Sequence, residues 1–537
     1  MLRRLRRLGR STPRTVAPTN GVNSVTNGLA RQKGVLAGGS LRARRLQRQQ
    51  EAAALARKFQ RTATTNGVEW TYDIVRDGVF LGSGDVGRQS EGVLKRAVST
   101  ATTGTLVIPD VLEGMPVRGV GCGAFSCCSN LTSVVIPPSV KNIGYRAFYE
   151  CRGLRTVKIP SSVTNIEWEA FSGTPFYDNM PDGMVILGDG LLYKYKGECT
   201  ASVDVPSHVT RICYGAFNRA YKMKEITLPP KLISIGDSAF YECGLTSLTL
   251  PRHVKSIGDF AFGHCHWLKS VTLSPELTRI EKWAFYGCQD LTSLCIPSSV
   301  TSIGDEAFSC CDHLTSIDVE NGNREFAAHG GVVFTKDLTE LVACPGGLTT
   351  VDIPSTMRSI RKGSLWWTAA LQKFVVDAAN ENYCSKNGLL LTKDGSRLVA
   401  GLNGNVVVPP SVSTIDSHAF HGYCKLTSVA IPRTVRNIER DAFYACRGLR
   451  KVIVEKGDIE RIKAMLQVGF APPKVDKIKF EESDSFDENV ILQKLKAEGS
   501  ELICKKTREI EREERRRRIQ EKFNRVRKAK AAEGEKN

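Results

Sequence analysis

LTSLCIPSSVTSIGDEAFSCCDH, residues 291–313, decides the fold. Leu291, Leu294 and Ile296 stand at the spacing LxxLxL, and the last two alternate with their neighbours as one face of a short strand does. Pro297 has no N–H to offer a ladder, so it ends the strand and turns the chain. Val300 and Ile303 then point inward, Gly304 makes the corner, and Ala307 with Phe308 fills the opposite side. A unit this short cannot enclose an apolar interior alone. Stacked copies can, since each buries its inner face on the next and strand backbones pair about 4.8 Å apart from coil to coil.

The rest of the chain repeats the unit. An Ala-Phe pair places Phe125, Phe148, Phe171, Phe217, Phe240, Phe262, Phe285, Phe308, Phe420 and Phe443 at gaps of 22 or 23 residues, with one gap of 46 and one long interval. An aliphatic-Pro pair recurs in phase with it, from Pro137 to Pro432. Two markers in phase exclude chance, and these phenylalanines are the expected repeat core.

The units resemble the leucine-rich repeats of the BspA type, which run close to LTSVxIPxSVxxIGxxAFxxCxx. The resemblance spans about residues 105–455 and implies a mainly β solenoid with short turns, a right-handed superhelix carrying a parallel sheet on its concave face. It also implies a surface or secreted protein that adheres to other proteins, in the manner of a surface antigen.

Three intervals exceed one unit, near 174–200, 319–350 and 377–407. Each holds apolar stretches around a turn such as Gly-Asp-Gly or Lys-Asp-Gly, so hairpins inserted into the solenoid (122–455) are expected. Between the last two, Leu365 takes the Phe slot and Thr368 the Cys slot of a degenerate unit. Residues 67–121 suit an N-terminal β cap with the first repeat, and 452–482 a C-terminal cap that hides the last bare core.

The net charge of +19 lies at the two ends. Residues 1–61 hold 15 Lys and Arg against Glu51, and residues 499–537 hold 14 against 8 acids, which leaves −1 for everything between. The folded body therefore has no general attraction for polyanions, whereas a disordered basic arm (1–40), a basic helix (41–62) and a charged helical tail (486–537) could reach nucleic acid or an anionic membrane. No window of 18 apolar residues and no secretory signal are visible, so a cytoplasmic monomer is the expectation. The Arg-rich start also has the composition of an organelle transit peptide.

Seven of the 17 cysteines, Cys128, Cys151, Cys243, Cys265, Cys288, Cys311 and Cys446, each follow the repeat's Phe by three residues. One residue type at one corner of every coil is a packing ladder of free thiols; ladder neighbours about 4.8 Å apart with parallel Cβ bonds do not suit a disulfide. His264-Cys265-His266 and Cys310-Cys311-Asp312-His313 look ligand-rich, but they are two coils and so about 10 Å apart, too far to share one ion; a site on His264, His266 and Cys288 is the alternative, and it lacks the usual zinc spacings. Neither a metal, a cofactor nor an enzyme is expected, since no nucleophile, base and orienting group share a motif.

That leaves a scaffold for protein binding. The strand positions that face away from the core are the candidate contact surface: Thr132, Ser133, Val135, Arg155, Thr156, Lys158, Ser293, Cys295, Thr427, Ser428 and Ala430. Small and hydroxylated residues dominate, which suits extended contact better than a small-molecule pocket.

Overall fold

Three backbone ladders, each interrupted along the molecule, join coil to coil, and each lies in a different part of the repeat. The computed structural model describes residues 61–75, 78–82, 96–469, 478–484, 486–495 and 497. Within them the chain winds as a mainly β solenoid of about 15 turns.

The first ladder is the parallel pairing of LxxLxL strands, as between Ser247–Thr249 and Ser270–Thr272 or Ser293–Ile296 and Ser316–Val319. The second pairs the two-residue strands before the corner; Leu192, Ile212, Ile235, Ile257, Ile280 and Ile303 stack in one column. The third is in the turns. Ser238, Phe240 and Glu242 donate their N–H groups to the carbonyls of Asp259, Ala261 and Gly263 one coil on, at 2.7 to 2.8 Å. To aim those groups along the axis the chain bends through two left-handed residues per turn, such as Glu306 (φ 55°) and Cys310 (φ 60°) around Phe308. Each costs a non-glycine residue about 1–2 kcal/mol, which the turn's ladder bonds offset. Gly304 serves the corner differently: its φ is not left-handed, and a Cβ there would lie 2.4 Å from the backbone nitrogen of Lys282.

The aligned phenylalanines are buried and stacked. Ring centroids lie 5.2 Å apart for Phe217 and Phe240, for Phe240 and Phe262, and for Phe262 and Phe285, with rings within 12° of parallel. At the first end the edge of Trp70 meets Phe125 at 6.4 Å, and at the other Ile462 and Leu466 of the helix Ile459–Gly469 join the core. In the 46-residue gap the hairpin Gly183–Leu187 and Leu191–Lys196 replaces a coil: Tyr193 meets Phe171 edge-on at 5.9 Å and Tyr195 meets Phe217 at 5.8 Å.

The other two insertions differ from simple hairpins. Each is a three-strand meander, Phe326–His329, Val332–Thr335 and Glu340–Ala343 in one, Tyr383–Lys386, Leu389–Thr392 and Arg397–Ala400 in the other. The third strand substitutes for a corner strand, so Leu341 pairs with Ile360 and Leu398 with Ile415. A buried asparagine anchors each entry. Asn323 Nδ2 donates to the carbonyls of Pro297 (2.9 Å) and Val300 (3.1 Å), while its Oδ1 accepts from Glu325 and Phe326 N–H; Asn380 makes the equivalent four bonds at the second meander.

The basic arm 1–40, nearly all of the helix expected over 41–62, and most of the tail after 497 lie outside the described residues. Arg61 and Thr62 do not extend a helix; they open the strand Arg61–Thr65, whose Thr-rich sequence pairs antiparallel with Val68–Val75.

Candidate interaction surface

Alternation along each LxxLxL strand sends one set of side chains inward and two columns outward. Ser247 stands opposite Ser270 and Thr249 opposite Thr272; Ser293 stands opposite Ser316 and Cys295 opposite Asp318. Thr156 Oγ1 donates to Ser133 Oγ at 2.8 Å, a hydroxyl tie from one coil to the next. Charges of both signs stand in the same columns, Lys158, Asp204, Glu225 and Asp318, with Lys224 and Lys269 at the strand starts, all exposed. Such a strip offers donors and acceptors at the coil spacing, and at Thr249 it borders a cavity of about 330 Å³ lined also by Leu228, Pro230, Pro251, Arg252 and His253.

Of the expected contact residues, Thr132, Arg155, Thr156, Lys158, Ser293, Cys295 and Thr427 are exposed, and Ser133 and Val135 are half-buried. Ser428 and Ala430 are corrections. Both face outward from their strand but are buried, Ala430 because a helix over residues 488–495 lies on that part of the face. Ile491 and Leu495 pack there against Val407, Ala430 and Ile453, so this end of the face is apolar and covered. Spacing could place a residue on the outward face, but only the long-range contact shows that the chain returns to cover it.

The ladder cysteines point inward and do more than fill space. Cys151 Sγ lies 2.9 Å from the Phe125 carbonyl oxygen, Cys243 2.9 Å from Phe217, Cys265 3.0 Å from Phe240, Cys288 3.2 Å from Phe262, Cys311 3.2 Å from Phe285 and Cys446 2.9 Å from Phe420. Each thiol donates to the turn of the preceding coil, supplying a proton that a methyl group lacks. Cys128 heads the ladder, where its Sγ instead lies 3.9 Å from the Ser99 carbonyl. Burial pushes these thiols up, Cys128 to about 11 and Cys151 and Cys265 to about 12, so they remain protonated donors. None of the 16 cysteines among the described residues is in a disulfide.

The two proposed metal clusters do not assemble. Cys288 Sγ is turned into the core toward Phe262, away from the His264 ring, which packs edge-on to Tyr241 and Tyr286. Cys311 is likewise turned to Phe285. Among the described residues no three His, Cys, Asp or Glu side chains converge as a metal site would require.

On the turn side the structure gathers a cluster that spacing did not suggest. The meander coils bring no Ala-Phe turn, and beside the second of them Trp366 stacks on His421 at 4.1 Å, while His418 and His421 share a hydrogen between their Nδ1 atoms at 3.0 Å. A cavity of about 400 Å³ adjoins it, lined by Trp366, His418, Tyr423, Arg361, Lys362 and others. Burial holds His421 down to about 3, with the neighbouring His418 adding to the effect. The visible signal was the Trp366-Trp367 pair beside the degenerate Phe slot.

Comparison with known proteins places these observations. The family model described as BspA type leucine rich repeat region matches six copies over residues 118–196, 192–315 and 402–493, together more than half of the chain. Similar solved structures include a leucine-rich cell surface protein of Faecalibacterium prausnitzii (22% identity, 77% of this chain and 99% of that one, TM-score 0.35). Others are the pneumococcal vaccine antigen PcpA (18%, 73% and 81%, 0.28) and a leucine-rich repeat protein of Bacteroides ovatus (21%, 79% and 100%, 0.25). No curated protein matches.

Proposed function

This chain belongs to the BspA-type leucine-rich-repeat family, and from that premise we propose that it is a non-enzymatic scaffold that binds a protein along its outward strand face. The observation that carries the reading is the pair of exposed polar columns, including Ser247, Ser270 and Ser293 with Thr249 and Thr272, which present hydroxyls at regular spacing over many coils. A rigid row of donors and acceptors is preorganised, so an extended partner loses little ordering entropy from the scaffold side on binding. Adhesion in particular is what membership of the family suggests. The setting we infer is reducing, as in the cytoplasm, because the ladder cysteines act as thiol donors; the family's alternative is the cell surface or the medium. No helix among the described residues is long and apolar enough to cross a membrane.

Thr249→Arg with Thr272→Arg tests the reading in a partner pull-down with the full chain. Capture should be lost, while Lys282→Glu on the turn side leaves it intact; the reverse pattern refutes the assignment. A second reading rests on the surplus of 14 positive charges in residues 1–61. If that end works on polyanions, the full chain binds RNA or anionic vesicles with steep salt dependence, and replacing Arg3, Arg4, Arg6 and Arg7 by Gln weakens it.

A further inference from the structure

The outward column starts with Val107, 54% exposed, and the half-buried Val135, turns polar from Lys158, and becomes apolar a second time further along. It reads Thr249, Thr272, Cys295, Asp318 and Asp352, then becomes Val375, Val407, Ala430 and Ile453 before Glu481, with Asp352 opposite Val375, Val407 opposite Ala430, and Ala430 opposite Ile453. Nothing in the coil requires an apolar residue at a position that faces away from the core. Three of the four are nevertheless buried, and what covers them is the chain's own segment 486–495, through Phe486, Ile491, Leu492 and Leu495.

That segment is not the cap of the solenoid. The core is already closed by Ile462, Leu466 and Ile478, with the strand Lys479–Ser483 paired to the last coil. The helix over 488–495 forms a separate apolar cluster with outward residues only. Its start is fixed by Asp487, whose Oδ1 accepts from the N–H groups of Asn489 (2.9 Å) and Val490 (3.1 Å). Polar ties set its register: Glu488 meets Asn387 Nδ2 at 2.5 Å and Lys386 Nζ at 3.4 Å, and Asn405 Nδ2 donates to the Leu495 carbonyl at 3.1 Å. These contacts are with outward residues alone, so release of the segment costs no coil of the solenoid. Val375, next in the column, is left 45% exposed beyond the end of the cover.

We propose that Val375, Val407, Ala430 and Ile453 form a helix-docking site, occupied at rest by residues 486–495 and filled in their place by a partner's amphipathic helix of the pattern E-x-x-I-x-x-x-L. The pattern is that of Glu488, Ile491 and Leu495, which the site already holds. This rests on the reading of the strand face as a protein-binding surface and names the kind of partner for its apolar end.

The test uses the full chain and a labelled peptide of residues 486–498, FDENVILQKLKAE. Ile491→Glu with Leu495→Glu frees the site, and fluorescence anisotropy should then show binding at least tenfold tighter than to the unaltered chain. Adding Ala430→Arg to the freed chain should abolish it. Equal binding to freed and unaltered chains, or binding to neither, overturns the proposal. Hydrogen exchange on the unaltered chain is the second measurement: amides of 488–495 should exchange at least tenfold faster than those of Lys451–Glu455 beneath them, and equal protection would mean a fixed part of the fold. Failure here leaves the Thr249 and Thr272 result untouched, because those residues lie on coils far from the helix.

Discussion

Phe262→Ala is the most searching perturbation of the stack. Phe262 is fully buried, with Phe240 and Phe285 each 5.2 Å away on its two sides. Truncating a buried Phe costs about 3–5 kcal/mol through lost transfer energy and the cavity left behind. Part of that belongs to the two stacked pairs, each contributing about 0.5–1.5 kcal/mol beyond burial. Urea unfolding of the single variant measures the total. The decisive measurement is a pair of double-mutant cycles. Phe240→Ala combined with Phe262→Ala should fall short of additivity by about 0.5–1.5 kcal/mol, whereas Phe148→Ala with Phe262→Ala should add within about 0.5 kcal/mol. The reason is that each coil touches only its neighbours, so stability is a sum of coil and interface terms. A distant pair coupled as strongly as the adjacent pair, or a single variant costing under about 1 kcal/mol, would refute the reasoning.

Replacing Asn323 by Ala strands two carbonyls and two N–H groups at the mouth of the first meander; about 2–4 kcal/mol should be lost in urea unfolding, and Asn380→Ala should match it. A thiol reagent should label the exposed Cys127 and Cys295 quickly and leave Cys151, Cys265 and Cys288 untouched until the chain unfolds, as read by mass spectrometry. The pH profile has two opposing arms. Burial raises Glu167 and Glu306 to about 7 and Asp259 to about 6, so their contribution is full below the ordinary carboxylate range and is lost as pH rises through 6 to 7; Glu167→Gln and Glu306→Gln should flatten that arm in thermal melts. His421 is held down to about 3, so its contribution is present above 6.5 and is lost as pH falls from there toward 3; His421→Phe should flatten that opposite arm.

How far the residues alone reach can be judged at particular positions. Phe125 through Phe443 and the ladder cysteines were legible because a coil repeats its environment every 23 residues, so one residue type at one phase means one place in the stack. The thiol bonds to the preceding Phe carbonyls were not, since spacing shows that cysteines align but not which atom each Sγ meets. Asn323 and Asn380 repeat 57 residues apart and could have been noticed as a pair, yet their role depends on carbonyls a coil earlier. The stretch DENVILQKL read as part of a charged tail because its few apolar residues are flanked by charge on both sides.

Periodicity determined the solenoid, its inward core and its outward strand face, because each follows from contacts that every coil makes with the next one. Tertiary structure alone decided which part of that face is free. Ala430 has the local pattern of an exposed strand residue, and it is buried by Ile491 and Leu495 from more than sixty positions along the chain. A contact made once, between segments of unrelated phase, leaves no period to read; it exists because an apolar column and an apolar helix face both lose water when they meet.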